Sequence, residues 1–478
     1  MSAAEPHGIQ ISGDHTTDCE LWSSVATGAL ADARRSSLPY APLCDSHLYL
    51  RNRAAGHYTA LEWTSEFLRN NVWGGEQIVG AVRKEFFSDH FVEKGIAPAP
   101  LASASAALTD SDRPHAASLD TTKSYRQVEP ENLGIDLSQP KDTLIPGRWY
   151  AATGLPGVYV SFIQPQMISP EILQGYHGIV NKLDSVESNA LDYLVAFNLA
   201  EFDVGFSLGT ENPRVGWSNR PPREVRGDLP GPDGINTAAP LVSNGMISPA
   251  LAPFTTATFA GGFKREHGAF RYGAFAKQNH GTHYGFVEQG VVFSKLQPGL
   301  ATLYVLDDDT VNMKTWTDSD NALLPRIKFA RQNGVPLIEN DLASGTSAPG
   351  PLVAKWGPGN WSGSAEEDLR SLRAGACLQE TPTRRFLIYG YFSTATPSAM
   401  ARVFEAYGCR YAMHLDMNAL ELTYLALYLR QGSQLRVEYL VRGMAESEKE
   451  TDSGPLLRFL AYPDNRDFFY LVRRKAVR

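Results

Sequence analysis

A polar triplet interrupts an apolar stretch near the C-terminal end, in Cys409-Arg-Tyr-Ala-Met-His-Leu-Asp416. Strand alternation would place Arg410, His414 and Asp416 on one face of a predicted strand. A buried carboxylate or imidazole either has a partner or belongs to a site. Asp416 is therefore predicted to act as nucleophile, base or electrostatic stabiliser. His414 or His267 would move a proton, because histidine titrates near neutral pH.

Cations and glycines upstream could bind an anionic group. Guanidinium and ammonium groups bind phosphate oxygens, and backbone N–H groups of a glycine pair can add donors. The predicted substrate- or phosphate-binding residues are Gly261, Gly262, Lys264, Arg271, Arg331, Asn333, Arg373 and Asn418.

Each candidate also has a structural interpretation. Asp416 could cap a following helix or pair with Arg410, and Arg331 could form a buried ion pair. Gly261-Gly262 could be a bulge or a tight packing point. Asn418-x-x-Glu421 fits a capping box, which makes Glu421 a helix cap rather than a catalyst.

Metal binding has weaker support. His280-x-x-His283 lacks an evident third ligand, and no Cys-x-x-Cys pair exists. Asp307, Asp308 and Asp309 read as a solvated hairpin turn. No metal and no cofactor are expected, although a metal-dependent hydrolase using His267, His280, His283 and Asp416 stays open as an alternative.

The elements that would position Asp416 can be read from periodicity. A strand is predicted from Arg385 to Phe392, followed by a helix that Thr396 caps and Pro397 begins, with Gly408 as its stop. The strand ending at Asp416 follows, and then a helix over 418–430. This order predicts a β-α-β unit with parallel strands, whose carboxyl ends are where ligands gather.

The rest of the chain predicts an α+β fold, a mixed β-sheet with flanking helices. Strands are expected at 157–163, 192–199 and 202–208, with hairpins at 301–316 and 458–472. Residues 1–96 should form a small, mostly helical region, with helices at 61–70 and 76–87. Residues 97–143, rich in Ala, Ser and Pro at 97–118, read as a linker or surface loop, and 144–478 as the main domain.

Composition excludes some classes of protein. The 478 residues carry a net charge of −8, which argues against nucleic acid as a partner. No apolar run reaches the length of a transmembrane helix. The N-terminus lacks a signal peptide, which predicts a cytoplasmic protein, or a periplasmic or secreted one if the start was processed or trimmed.

Four cysteines, Cys19, Cys44, Cys377 and Cys409, allow two bridges, but free thiols are expected without a signal sequence.

Four segments together resemble the phosphodiester glycosidase family, in particular its divergent bacterial members. They are Phe259-Ala-Gly-Gly-Phe263, Arg331-Gln-Asn333 before Pro336-Leu337, Arg373-Ala-Gly-Ala376, and Gly408 leading to Leu415-Asp416. Their order and spacing are similar to the family over about residues 145–440.

The resemblance implies a hydrolase that cleaves a sugar-1-phosphodiester bond in an envelope or polysaccharide glycan. The transition state of such a reaction is oxocarbenium-like, so a carboxylate near the ring and cations near the leaving phosphate are expected. Ala260 stands where the family has asparagine, which leaves a second alternative open: a non-catalytic glycan-binding or envelope-assembly protein.

Overall fold

The structure is a computed structural model. It describes residues 2–4, 7–12, 16–22, 28–58, 63, 99–100, 112–125, 130, 132–139, 144–210, 239–263, 284–340, 346–355, 369–432, 434–452 and 454–474.

The N-terminal part contains short strands and one helix in its described residues. These elements are β1 (Ser2–Ala4), β2 (Gly8–Ser12), β3 (Thr16–Glu20), α1 (Ala29–Arg35), β4 (Tyr40–Leu43), β5 (Leu48–Arg51), β6 (Ala99–Pro100) and β7 (Ser124–Tyr125). The predicted helices at 61–70 and 76–87 fall almost wholly outside the described residues. Among the described residues of this region, more lie in strands than in helices.

The main domain is built from strands with few helices. In chain order they are β8 (Tyr150–Ala151), β9 (Val158–Ile163), α2 (Pro170–Gln174), α3 (Ser185–Asn189), β10 (Asp192–Asn198), β11 (Phe202–Ser207), β12 (Thr255–Ala260), β13 (Phe286–Glu288), β14 (Val291–Ser294), β15 (Ala301–Leu306), β16 (Val311–Thr315), β17 (Ile327–Gln332), β18 (Pro336–Asn340), β19 (Ser347–Pro349), β20 (Ser371–Glu380), β21 (Arg385–Ala395), α4 (Pro397–Ala406), β22 (Tyr411–Met417), β23 (Leu425–Gln431), β24 (Gln434–Tyr439) and β25 (Phe468–Arg473). Short 3-10 helices lie at Pro165–Met167, Ala239–Val242, Ala252–Phe254, Asp318–Arg326 and Arg442–Ser447.

These strands form three antiparallel sheets. The large sheet has the order β19-β18-β22-β20-β21-β10-β9-β8, the second sheet β11-β25-β12-β23-β24, and the third sheet β14-β13-β17-β15-β16. This sheet-rich architecture with few helices is consistent with the α+β prediction, although the paired strands of these sheets are antiparallel and the large sheet is not the mixed sheet that was predicted.

The large sheet is buried on both faces. One face shares a core with the other two sheets, as Val195, Phe259 and Leu303 show. The opposite face packs against α4 through Ile388 and Phe404. A strand covered on both sides has no solvent face, so β22 is buried at every position instead of alternating.

The strand-helix-strand order predicted around α4 is present, with Thr396 Oγ1 accepting a hydrogen bond from Ala399 N (3.2 Å). However, β21 and β22 are not neighbours. Both pair antiparallel with β20, which lies between them. They run in the same direction for that reason, but the predicted β-α-β unit is not confirmed.

Two further predictions are wrong. Residues 418–430 do not form a helix: a turn is followed by β23, so Glu421 caps no helix. The closing hairpin is absent as well, because β25 pairs with β11 and β12 and not with residues 458–462. By contrast, the hairpin of β15 and β16 is confirmed, and in its turn Asp307 and Asp308 pair with Arg326.

The four cysteines form two disulfides, so the prediction of free thiols is wrong. Cys19 pairs with Cys44 (Cα–Cα 5.4 Å) and Cys377 with Cys409 (5.9 Å). The second bridge ties β20 to the residues just before β22. No helix in the described part of the chain has the length and apolar character needed to cross a membrane.

Candidate active site

Asp416 lies in a β-bulge at the end of β22. Gly375 pairs with His414 and Arg373 with Met417, so Ala374 of β20 faces both Leu415 and Asp416. A bulge re-aims the side chains that follow it. His414 packs against Phe263 in the core on the α4 side. Asp416 instead accepts a hydrogen bond from Arg466, so the prediction that His414 and Asp416 share one face of the strand is wrong.

Asp416 is 4% exposed, and both oxygens of its carboxylate accept hydrogen bonds. Oδ2 accepts a hydrogen bond from Arg466 Nη1 (2.7 Å), and Oδ1 accepts one from Met417 N (2.9 Å). Burial raises the pKa of Asp416 from 3.8 to about 6, although Arg466 works in the opposite direction. A carboxyl with a pKa near 6 can serve acid–base or nucleophilic chemistry close to neutral pH.

Arg331 and Asp467 form a second ion pair beside the first. Arg331 Nε donates to Asp467 Oδ2 (2.7 Å), and its Nη2 donates to Phe263 O (2.8 Å). Both residues of this pair are buried, and both influence the pKa of Asp416. We call Asp416, Arg466, Arg331 and Asp467 the paired cluster.

The two glycines lie where this cluster leaves no room for a side chain. A Cβ on Gly261 would be 2.2 Å from Asp467 Oδ2, and one on Gly262 would be 2.6 Å from Asn333 Oδ1 and 2.8 Å from Arg331 Nη2. Gly261 N donates to Asp467 O (2.9 Å). The glycine pair thus allows close approach of its backbone to the paired cluster.

Asn333 joins three segments of the chain. Its Oδ1 accepts a hydrogen bond from Phe263 N (3.0 Å), while Nδ2 donates to the carbonyl oxygens of His414 and Leu415 (2.8 Å each). These bonds fix the backbone just before Asp416 against the end of the glycine segment. Asn333 is therefore a positioning residue in this structure.

Arg373 and His414 form a separate group, which with Met417 we call the Arg373 cluster. Arg373 is fully buried, and its Nη1 lies 3.2 Å from both His414 Nε2 and Met417 Sδ. Its other donors go to the carbonyl oxygens of Ala395 and Leu369 (2.8 Å each). Burial lowers the pKa of Arg373 to about 9. Burial and Arg373 also hold the pKa of His414 well below its usual range, so His414 is neutral at pH 7.

Asn418 follows the bulge in a left-handed conformation, with φ of 88°. Its side-chain oxygen accepts a hydrogen bond from Ser371 Oγ (2.8 Å), and its N–H donates to Leu372 O (2.7 Å). It therefore links the turn after β22 to the start of β20.

Five candidates from the sequence lie outside the described residues: Lys264, His267, Arg271, His280 and His283. Among the described residues, no group of three or more His, Cys, Asp or Glu side chains is arranged to hold a metal ion.

Arg466 and Asp467 were missed by the sequence analysis. They belong to Pro463-Asp-Asn-Arg-Asp467, the middle of the predicted hairpin at 458–472, and this segment is buried. Four charged or amide side chains in a row between Tyr462 and Phe468 were the available signal. Glycines let this segment pass through the interior: a Cβ on Gly209 would be 2.2 Å from Asn465 O, and one on Gly245 would be 2.5 Å from Asp464 O.

Comparisons with known proteins add little to this geometry. No protein-family model matches the chain, and no curated protein is similar to it. Several solved structures are weakly similar in fold, including the following two. The catalytic domain of zebrafish N-acetylglucosamine-1-phosphodiester alpha-N-acetylglucosaminidase, auto-inhibited by its pro-peptide, is 9% identical with a TM-score of 0.33, over 68% of this chain and 85% of that one. A hypothetical protein from Synechocystis is 12% identical with a TM-score of 0.29, over 62% of this chain and 61% of that one.

Proposed function

We propose that the chain is a hydrolase that cleaves a sugar-1-phosphodiester bond in an envelope or polysaccharide glycan, with Asp416 as its essential carboxylate. The observation that carries this proposal is the buried Asp416 carboxyl at a strand end, with a pKa raised to about 6 and two guanidinium groups nearby. At pH 7 most of it is ionised, as a nucleophile or an electrostatic stabiliser of an oxocarbenium-like transition state requires.

In this proposal the paired cluster and the Arg373 cluster have different roles in the reaction. Asp416 acts on the sugar side, held in place by Arg466. Arg373 serves the leaving phosphate, because no carboxylate of the described residues lies within 4 Å of it, and the Glu187 carboxylate acts on its charge only from further away. His414, being neutral, positions Arg373 and does not carry a proton as an imidazolium.

The test is release of sugar from a synthetic sugar-1-phosphodiester by the purified full-length chain. Asp416→Asn should lower kcat by at least about 100-fold, the usual range for loss of a catalytic acid–base group. Glu405→Gln supplies a matched control, since Glu405 is another carboxyl whose pKa burial raises, to about 7, but it lies on α4. It should keep nearly full activity.

The pH dependence of kcat/KM tests independently whether the ionised Asp416 carboxylate is required. If ionised Asp416 is required, kcat/KM should fall about tenfold per pH unit below pH 6. No turnover on any sugar-1-phosphodiester, or turnover that survives Asp416→Asn, contradicts the proposal.

A non-catalytic glycan-binding protein is the second candidate. The observation in its favour is that the four charges of the paired cluster satisfy one another, as a purely structural ion-pair network would. Glycan binding without turnover would establish it.

Both candidates fit an oxidising compartment, which the two disulfides favour.

A further inference from the structure

A cleft of about 410 Å³ opens beside the first residues of β12, at the opposite end of that strand from Gly261. Its walls include Phe254, Thr256, Arg430, Arg473 and Arg474. We propose that this cleft binds an anionic sugar, with Arg430 as the cation that receives the acidic group. The proposal does not depend on the chemistry of Asp416.

Arg430 is the group that singles out this cleft. Its guanidinium makes one hydrogen bond to the described residues, from Nη2 to Ala252 O (2.6 Å), and none of their carboxylates lies within 4 Å. A guanidinium has five N–H donors, so several stay available to a carboxylate or phosphate.

The two other arginines differ from Arg430 because each already forms an ion pair with a carboxylate of the protein. Arg473 pairs with Glu201 (2.9 Å) and Arg474 with Asp203 (2.8 Å). Among the described residues, three positive and two negative groups leave a net charge of +1 at the cleft, and that charge resides on Arg430. A ligand with one acidic group would complete the balance.

Thr256 supplies a hydroxyl at the same place. Thr255 pairs with Val472 and Ala257 with Leu471, so Thr256 is the extra residue of a β-bulge on β12. Bulges are over-represented at sheet edges, at barrel rims and next to active sites, where they re-aim a side chain or end the pairing. Thr256 is one of the residues that line the cleft, and a threonine hydroxyl can bond a hydroxyl of the ligand.

An apolar surface completes the chemistry expected of a sugar site. Phe254, at the start of β12, is 45% exposed, and Leu155 lines the cleft as well. Aromatic rings pack against the C–H face of a pyranose, while hydroxyl and guanidinium groups bond its polar substituents. The volume lies within the range of about 300–1,000 Å³ that ligand pockets occupy.

The test is isothermal titration of the full-length chain at low salt with glucose 6-phosphate, glucuronic acid, glucose and inorganic phosphate. At least one of the two acidic sugars should bind, and the pair distinguishes a phosphate from a carboxylate preference. Glucose and inorganic phosphate should each bind at least tenfold more weakly. Arg430→Gln should raise the Kd at least tenfold, and Thr256→Val about threefold.

Two variants separate this site from other causes. Arg442→Gln, at an exposed arginine outside the cleft, and Asp416→Asn should both leave the Kd unchanged. The proposal is overturned if neither acidic sugar binds, if glucose binds equally well, or if Arg430→Gln has no more effect than Arg442→Gln. If Arg430→Gln does not fold, the Thr256→Val measurement decides.

Discussion

The paired cluster and the Arg373 cluster both flank the end of β22, but they balance their charges in different ways. In the paired cluster each guanidinium has a carboxylate oxygen at 2.7 Å: Arg331 with Asp467 and Arg466 with Asp416. In the Arg373 cluster the guanidinium donates to two carbonyl oxygens, an imidazole and a thioether. No carboxylate of the described residues lies within 4 Å of it.

This difference indicates where a ligand's negative charge would be received. In a buried ion pair the two charges neutralise each other, and removing one partner leaves the charge of the other uncompensated. A buried cation that lacks such a partner is costly to keep and is more often found where function requires it. Arg373 is therefore the better candidate for binding an anion, and the paired cluster for orienting Asp416.

Breaking the paired cluster should have the largest effect on stability. Asp467→Asn leaves the Arg331 guanidinium buried beside a neutral amide and should lower the free energy of unfolding by about 3–5 kcal/mol. Urea denaturation measures the loss. The double variant Asp467→Asn/Arg331→Met should recover part of it, and a double variant as unstable as the single one would contradict the pairing argument.

The pH dependence of stability tests the state of Asp416. Its pKa is higher in the folded protein, about 6, than its ordinary value of 3.8, so the folded state binds this proton more tightly. The resulting stability is fully present below about pH 4 and is lost as pH rises through 6. Asparagine carries no such proton. The free energy of unfolding of Asp416→Asn minus that of the wild type should therefore rise by about 2–3 kcal/mol between pH 4 and 7. A flat difference, or one that falls, contradicts the raised pKa.

The Arg373 cluster should be the less costly one to break. Arg373→Met removes a charge that has no described carboxylate within 4 Å, although Glu187 acts on it from further away, and it leaves two backbone carbonyls without their donor. A loss of about 1–2 kcal/mol is expected in urea denaturation. The same variant should raise KM for a sugar-1-phosphodiester at least tenfold. A stability loss as large as that of Asp467→Asn would show that Arg373 belongs to an ion pair.

Local sequence signals identified several elements correctly. The apolar runs that became β9, β10 and β11 were predicted within one or two residues, because strand propensity and turn residues act locally. The helix α4 was equally clear, since Thr396, Pro397 and Gly408 mark its two ends. Asp416 was also found at the end of a buried strand.

Other features depend on contacts that no local signal encodes. The segment 418–430 has apolar residues at positions compatible with a helix, but β23 gains pairing from β12 on one side and β24 on the other. That pairing is available only after distant strands have assembled, so tertiary context overrides local preference.

Local sequence patterns were enough to place Asp416 at the end of a buried strand, with glycines and arginines preceding it along the chain. Which charges contact Asp416 depends on the assembled fold. Arg466 and Asp467 come from 50 residues downstream, and the bulge against β20 turns Asp416 away from His414. Strand register and ion pairing are set between segments that are distant in the sequence, because side-chain packing and burial select one arrangement. Register and ion pairing therefore leave no periodic pattern in the sequence.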